Sequence, residues 1–145
     1  LLRLFSENNF SLISESDYQK EMLLTEMCQN LEVNNIVDDT FSTSVLERES
    51  IEPTNINQII AIPHPMSLIS LKSAISVAIV PEGVTWNNES SVKLVFLISI
   101  TKEDYKNTEH IYDLLLSLIE HEDKQRSIIE TPTFDNFYQT LLSLL

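Results

Sequence analysis

The stretch Ile59-Ile60-Ala61-Ile62-Pro63-His64-Pro65 runs a β-branched apolar segment straight into a turn that carries one histidine. The β-branched isoleucines favour a strand, and a proline on each side of His64 forbids its extension. A histidine so placed is presented at a strand end. Working outward from this point, segments with helical periodicity alternate with apolar strand runs, the order expected of a three-layer α/β domain in which helices flank a mixed β-sheet on both faces.

Upstream, Ser16-x-x-Gln19 reads as a capping box for a helix whose Leu24, Met27, Cys28 and Leu31 share one face. Asp38 or Asp39 is expected to cap a second helix that turns Phe41, Val45 and Leu46 inward and ends near Glu49. Arg48 falls near the end of that helix, just before a loop in which Pro53, Asn55 and Asn57 supply turn chemistry. Downstream, Ala74 to Val80, closed by Pro81-Glu82-Gly83, and Val92 to Ile100 read as strands. Neither alternates polar with apolar, so both are expected inside a sheet covered on its two faces. Thr108 is a candidate cap for a helix with Ile111, Leu114, Leu115, Leu118 and Ile119 on one face. A short helix around Lys124 to Ile129 is expected next. Thr133 then caps a last helix with the stripe Phe134, Phe137, Tyr138, Leu141, Leu142 and Leu145.

Composition bounds the function. With 145 residues, 43% of them apolar, the chain can build one core, so residues 1–145 read as a single domain. Nine basic groups stand against 22 acidic ones, giving a formal net charge of -13. That surface repels a phosphate backbone, which excludes direct nucleic-acid binding. The longest apolar run is about half of what a membrane-spanning helix requires, so no membrane segment is expected. A single cysteine, Cys28, excludes an intrachain disulfide and points to a reducing, cytoplasmic setting. The start at Leu1 rather than Met points to a piece of a longer polypeptide.

Three histidines, His64, His110 and His121, carry the candidate chemistry. Their spacing matches no metal-ligand pattern, so neither a metal nor any other cofactor is expected. Nor is there a GxSxG elbow, and one glycine, Gly83, is too few for a Walker loop or a dinucleotide fingerprint. Phosphoryl transfer to an imidazole nitrogen needs less apparatus: positioning, and positive charge around the equatorial oxygens. His64, Arg48 at a helix end, and His110 at a helix start, where backbone N–H groups favour an anion, would suffice. His121 reads as a solvated helix-end residue and Trp86 as an anchor between strand and loop. Glu103 and Asp104 read as a surface leading into a helix. Glu49 either orients Arg48 or is a surface charge.

Val45-Leu46-Glu47-Arg48-Glu49, Pro53-Thr54-x-Ile56, Ala61-Ile62-Pro63-His64-Pro65, Val92 to Leu97 and Glu109-His110-Ile111 together resemble the enzyme IIA domains, fructose and mannitol type, of the bacterial phosphoenolpyruvate-dependent sugar phosphotransferase system. The resemblance implies that His64 accepts a phosphoryl group from phospho-HPr, with Arg48 stabilising charge and His110 giving hydrogen-bond support. Pro65, where transport components usually have Gly, makes the chain look more like the enzyme IIA-like domain at the C-terminus of PRD-containing transcriptional regulators and antiterminators. On that resemblance the domain is a phosphohistidine phosphotransfer module acting mainly as a sensor, excised from a regulator with PRD and DNA- or RNA-binding domains. The alternatives are an enzyme IIA phosphocarrier that serves an enzyme IIB domain, and a phosphorylation-dead interaction module.

Overall fold

A computed structural model describes residues 1–87 and 90–145. Four strands, β1 (Phe5–Leu12), β2 (Ile60–Ala61), β3 (Ala74–Thr85) and β4 (Ser91–Ser99), form one sheet in the order β1-β3-β4-β2. β1 runs parallel to β3, β3 antiparallel to β4, and β2 parallel to β4, so the sheet is mixed. Five helices pack on it among the described residues: α1 (Lys20–Val33), α2 (Phe41–Ile51), α3 (Thr108–Ile119), α4 (Glu122–Glu130) and α5 (Phe134–Leu142).

Alternation along β3 and β4 splits the core in two. Ile75, Val77, Ile79, Leu94, Phe96 and Ile98 face α3, α4 and α5. Ala74, Ala78, Val80, Val95 and Leu97 face α1 and α2. Successive side chains point to opposite faces of a strand, and here both faces meet apolar helices. That accounts for the unbroken apolar runs and for the three-layer arrangement expected from them. None of these helices is long and apolar enough to cross a membrane.

Several local expectations are corrected. β1 carries no strand signal in the sequence because it is an edge strand whose register with β3 shifts between Phe5 and Phe10, leaving Glu7 and Asn8 exposed but Asn9 buried. β3 does not stop at Pro81. It continues to Thr85 through a register shift between Ile79 and Val84, and Gly83 takes φ 79° against the side chain of Ser91. A glycine tolerates that conformation where a Cβ would be strained and would collide with Ser91.

Helix starts differ too. α1 begins after Gln19 with no side-chain cap, so Ser16 and Gln19 form no capping box. Asp38 accepts hydrogen bonds from the backbone N–H (2.9 Å) and hydroxyl (2.5 Å) of Thr40, shaping the turn before α2 rather than capping it. These bonds hold the Asp38 carboxyl below its ordinary range, the hydroxyl bond contributing most. Thr108 donates to the carbonyl of Tyr105 (2.9 Å) instead of capping α3. Thr133 does cap α5, accepting from the N–H of Asn136 at 3.1 Å. In the α5 stripe Phe137 and Leu141 are buried, but Leu142 and Leu145 are exposed.

Candidate functional site

The site grows from the end of α2. Phe41, Val45 and Glu49 recur every four residues and share its buried face. Arg48, one position earlier, emerges half-buried from the final turn, where its Nη1 donates to the carbonyl of Glu52 at 2.8 Å. Cations are favoured there, because the last helical carbonyls lack partners.

Glu49 is neither a surface charge nor a partner of Arg48. It is only 6% exposed, and it accepts from the indole N–H of Trp86 (3.0 Å) and from both donors of Thr54. Lys20 Nζ lies 3.0 Å from its Oε2 and 4.8 Å from the centroid of the Trp86 ring. A buried carboxylate requires such compensation, and this one ties α1, the end of α2, the loop at Thr54 and the end of β3 together. The signal for it was present in the sequence, since a carboxylate at the i+8 position of a buried helical face has to be paired. Trp86 is the anchor expected of it.

From Thr54 the chain runs alongside β2. Ile62 N–H donates to the Thr54 carbonyl (3.0 Å), Ile56 N–H donates to the Ile60 carbonyl (2.9 Å), and Asn55 bridges Ala61. Asn57 Oδ1 accepts from the N–H groups of Ile59 (2.8 Å) and Ile60 (2.6 Å), closing the turn. On its other side β2 pairs with Leu94 and Val95, and Ile98 N–H reaches the Pro63 carbonyl at 3.0 Å. His64 follows directly. Two residues on, Met66 N–H donates to Ser44 Oγ on α2 at 2.8 Å, so the turn is held on both sides.

His64 Nδ1 lies 3.0 Å from the carbonyl of Ile62. A carbonyl only accepts, so in the neutral ring the proton sits on Nδ1 and the lone pair on Nε2. The half-exposed ring lines two cavities. One, of about 310 Å³, also takes in Arg48, Thr54, Tyr112 and Leu116. The other, of about 460 Å³, takes in Met66, Tyr105, Thr108 and Tyr112. His64 and Tyr112 are common to both linings. Burial and, next, Tyr105 raise the Tyr112 phenol above its ordinary pKa, while Arg48 opposes the shift.

The structure therefore brings His64 and Arg48 to one cavity, and it does not bring His110 there. His110 is exposed on the first turn of α3 and lines a separate cavity with Arg3, Asp104 and Asn107. Two steps along an α-helix turn a side chain through about 200°, so when Tyr112 faces His64, His110 faces away. Sequence reasoning missed Tyr112, although Tyr105, Thr108, Tyr112 and Leu116 follow the 3–4 spacing of a second face beside the buried stripe. His121 precedes α4 at the surface, its Nδ1 2.6 Å from the Ser117 carbonyl, as a solvated helix-end residue. Glu103 is exposed, as expected of it. Asp104 is bonded to Ser73 (2.6 Å), which keeps its carboxyl below the ordinary range, with Thr101 adding to the effect. No group of three or more His, Cys, Asp or Glu able to hold a metal ion occurs among the described residues.

A histidine whose Nε2 has no hydrogen-bond partner among the described residues, and which shares a cavity with an arginine, is suited to carry a phosphoryl group. The profile of the family described as "Phosphoenolpyruvate-dependent sugar phosphotransferase system, EIIA 2" matches residues 3–143. The chain belongs to that family. As an EIIA 2 domain it is 31% identical over 123 residues to the transcriptional regulator ManR of Bacillus subtilis, covering 85% of this chain but 18% of ManR. It is 29% identical to the mannitol-specific phosphotransferase enzyme IIA component of the same organism, covering 81% of this chain and 79% of that protein. Among solved structures, the complex of enzyme IIA mannitol with phosphorylated enzyme IIB mannitol from Escherichia coli gives a TM-score of 0.81 at 22% identity. The match covers 97% of this chain and 99% of that one, and shows that the EIIA 2 domain has the enzyme IIA mannitol fold.

Proposed function

We propose that this EIIA 2 domain is the phosphoryl-accepting sensor of a transcriptional regulator or antiterminator controlled by the sugar phosphotransferase system, with phospho-HPr as donor and His64 as acceptor. The observation that carries the reading is the Nδ1 contact to Ile62. It fixes the tautomer in which Nε2 is the nucleophile and aligns the ring without a second side chain. In the step itself the Nε2 lone pair forms a bond to phosphorus, the donor's N–P bond breaks, and that electron pair returns to the donor nitrogen. Arg48, whose remaining N–H groups have no other partner among the described residues, neutralises charge on the transferred group.

The likeness to ManR, a transcriptional regulator of which the chain covers 18%, supports a regulatory role; PRD and DNA- or RNA-binding domains elsewhere in a parent chain belong to the same proposal. Phosphorylation adds roughly two negative charges to a turn held on both sides, so the output is a change in how the domain docks on its neighbours. The likeness to a mannitol enzyme IIA component, over 79% of that protein, supports a second reading, a phosphocarrier that passes the group to an enzyme IIB domain. The test is incubation with phospho-HPr, followed by incubation with an enzyme IIB domain. Labelling that His64→Ala abolishes is expected. Labelling that survives the substitution, or an unlabelled wild type, overturns the acceptor reading. Rapid onward transfer to enzyme IIB would favour the carrier.

A further inference from the structure

Transfer to His64 needs hydrogen-bond donors around the phosphoryl oxygens, and the chain beside His64 is short of them. Pro63 and Pro65 have no N–H, so the backbone immediately on either side offers none. Within the two cavities, the Thr54 hydroxyl is committed to Glu49 (2.5 Å), the Thr108 hydroxyl to the Tyr105 carbonyl (2.9 Å), and the Asn55 amide to Asn57 (3.2 Å) and Ser90 (3.2 Å), while Ser67 lines only the cavity that lacks Arg48. His110, the expected second donor, lines another cavity. Tyr112 is the residue that shares both linings with His64, and one of them with Arg48.

We propose that Tyr112 is the second phosphoryl ligand of the site, donating its phenolic O–H to an equatorial oxygen of the group in transit to His64 while Arg48 holds another. The inference rests on the acceptor reading of His64 and adds a residue to it. The setting of Tyr112 suits this role, because the buried positions Ile111, Leu114, Leu115 and Leu118 anchor α3 to the sheet, and a rigid helix presents the ring. At 40% exposure it remains reachable by a donor protein. A hydroxyl at this position adds no charge of its own, and the raised pKa keeps its proton in place near neutrality. Tyr105 also lines one of the cavities but is more exposed and stands apart from Arg48.

The experiment compares phospho-HPr transfer rates for the wild type, Tyr112→Phe and Tyr105→Phe, with the phosphorus-31 spectrum of each phosphorylated form. Phe keeps the ring and removes only the donor. We expect Tyr112→Phe to slow transfer about tenfold, the loss of one hydrogen bond of ordinary strength, and to move the phosphohistidine resonance, with its thermal midpoint unchanged and Tyr105→Phe close to wild type. A labelled wild type with an equally fast Tyr112→Phe and an unmoved resonance overturns the role of Tyr112 and leaves His64 as acceptor. A wild type that takes no label overturns both.

Discussion

Glu49 and Thr54 are joined twice: Oε2 accepts the Thr54 N–H at 2.8 Å and Oε1 accepts its hydroxyl at 2.5 Å. The pairing fixes the chain just after the Arg48 turn, and from Thr54 a further bond reaches Ile62. Glu49→Ala would leave Lys20, the Trp86 indole and Thr54 without their shared acceptor. Breaking a buried charge pair costs about 3–5 kcal/mol, so the urea midpoint should fall by a corresponding amount. A loss under about 1 kcal/mol would mean that Lys20 swings to water and that the carboxylate is not the tie described.

Among the described residues Arg48 makes one hydrogen bond, to the Glu52 carbonyl, and it is not among the buried core residues. Arg48→Ala should therefore slow phosphoryl transfer about a hundredfold, in line with the ~2.7–4 kcal/mol lost when one preorganised charge-stabilising donor is deleted. Folding stability should change by about 1 kcal/mol or less. Stopped-flow transfer from phospho-HPr alongside thermal melts separates the two effects; equal losses in rate and stability would make Arg48 a structural residue.

Cys28 gives a pH signature. Burial on the inner face of α1 pushes its thiol from 9.0 to about 12, with a contact to Ser42 opposing the shift. The folded pKa is raised, so the unfolded chain releases this proton first. The stabilisation is full below about pH 9 and is lost as pH climbs towards 12. At about pH 10.5 the loss from this one group is on the order of 2 kcal/mol. Denaturation of wild type and Cys28→Ala at about pH 8 and about pH 10.5 should show a steeper fall for the wild type. Parallel falls would show that the thiol does not titrate in this way.

Much of this architecture could be read from the chain, for identifiable reasons. β3 and β4 lie between two helical layers, so burial on both faces writes itself as continuous apolar runs. β1, at the sheet edge with a shifted register, has no such constraint and left no pattern. Thr108 and Asp38 are good caps by type, but a nearby carbonyl and the donors of Thr40 engage their oxygens, while Ser16 stands too far ahead of a helix that starts only after Gln19. At the site, His64 was legible because strand propensity and two prolines agree about where it must stand. The partners across the cavity were less so. Whether His110 or Tyr112 faces His64 depends on the rotational setting of α3 on the sheet, which is decided by Ile111, Leu114 and Leu115 together.

The short β2 has a consequence for recognition. Its outward groups are already spoken for: Ile60 N–H by Asn57, Ile60 carbonyl by Ile56, Ile62 N–H by Thr54, and Ile62 carbonyl by the His64 ring itself. The segment after α2 thus seals the edge of the sheet where His64 emerges, leaving no free rung of β2 for an incoming strand among the described residues. On the acceptor reading, a partner approaching His64 reads contour and side chains, and residues such as Ile56, Met66 and Leu116, which line its cavities, can be exchanged without touching these backbone bonds. One frame can in this way serve different protein neighbours while its chemistry stays fixed.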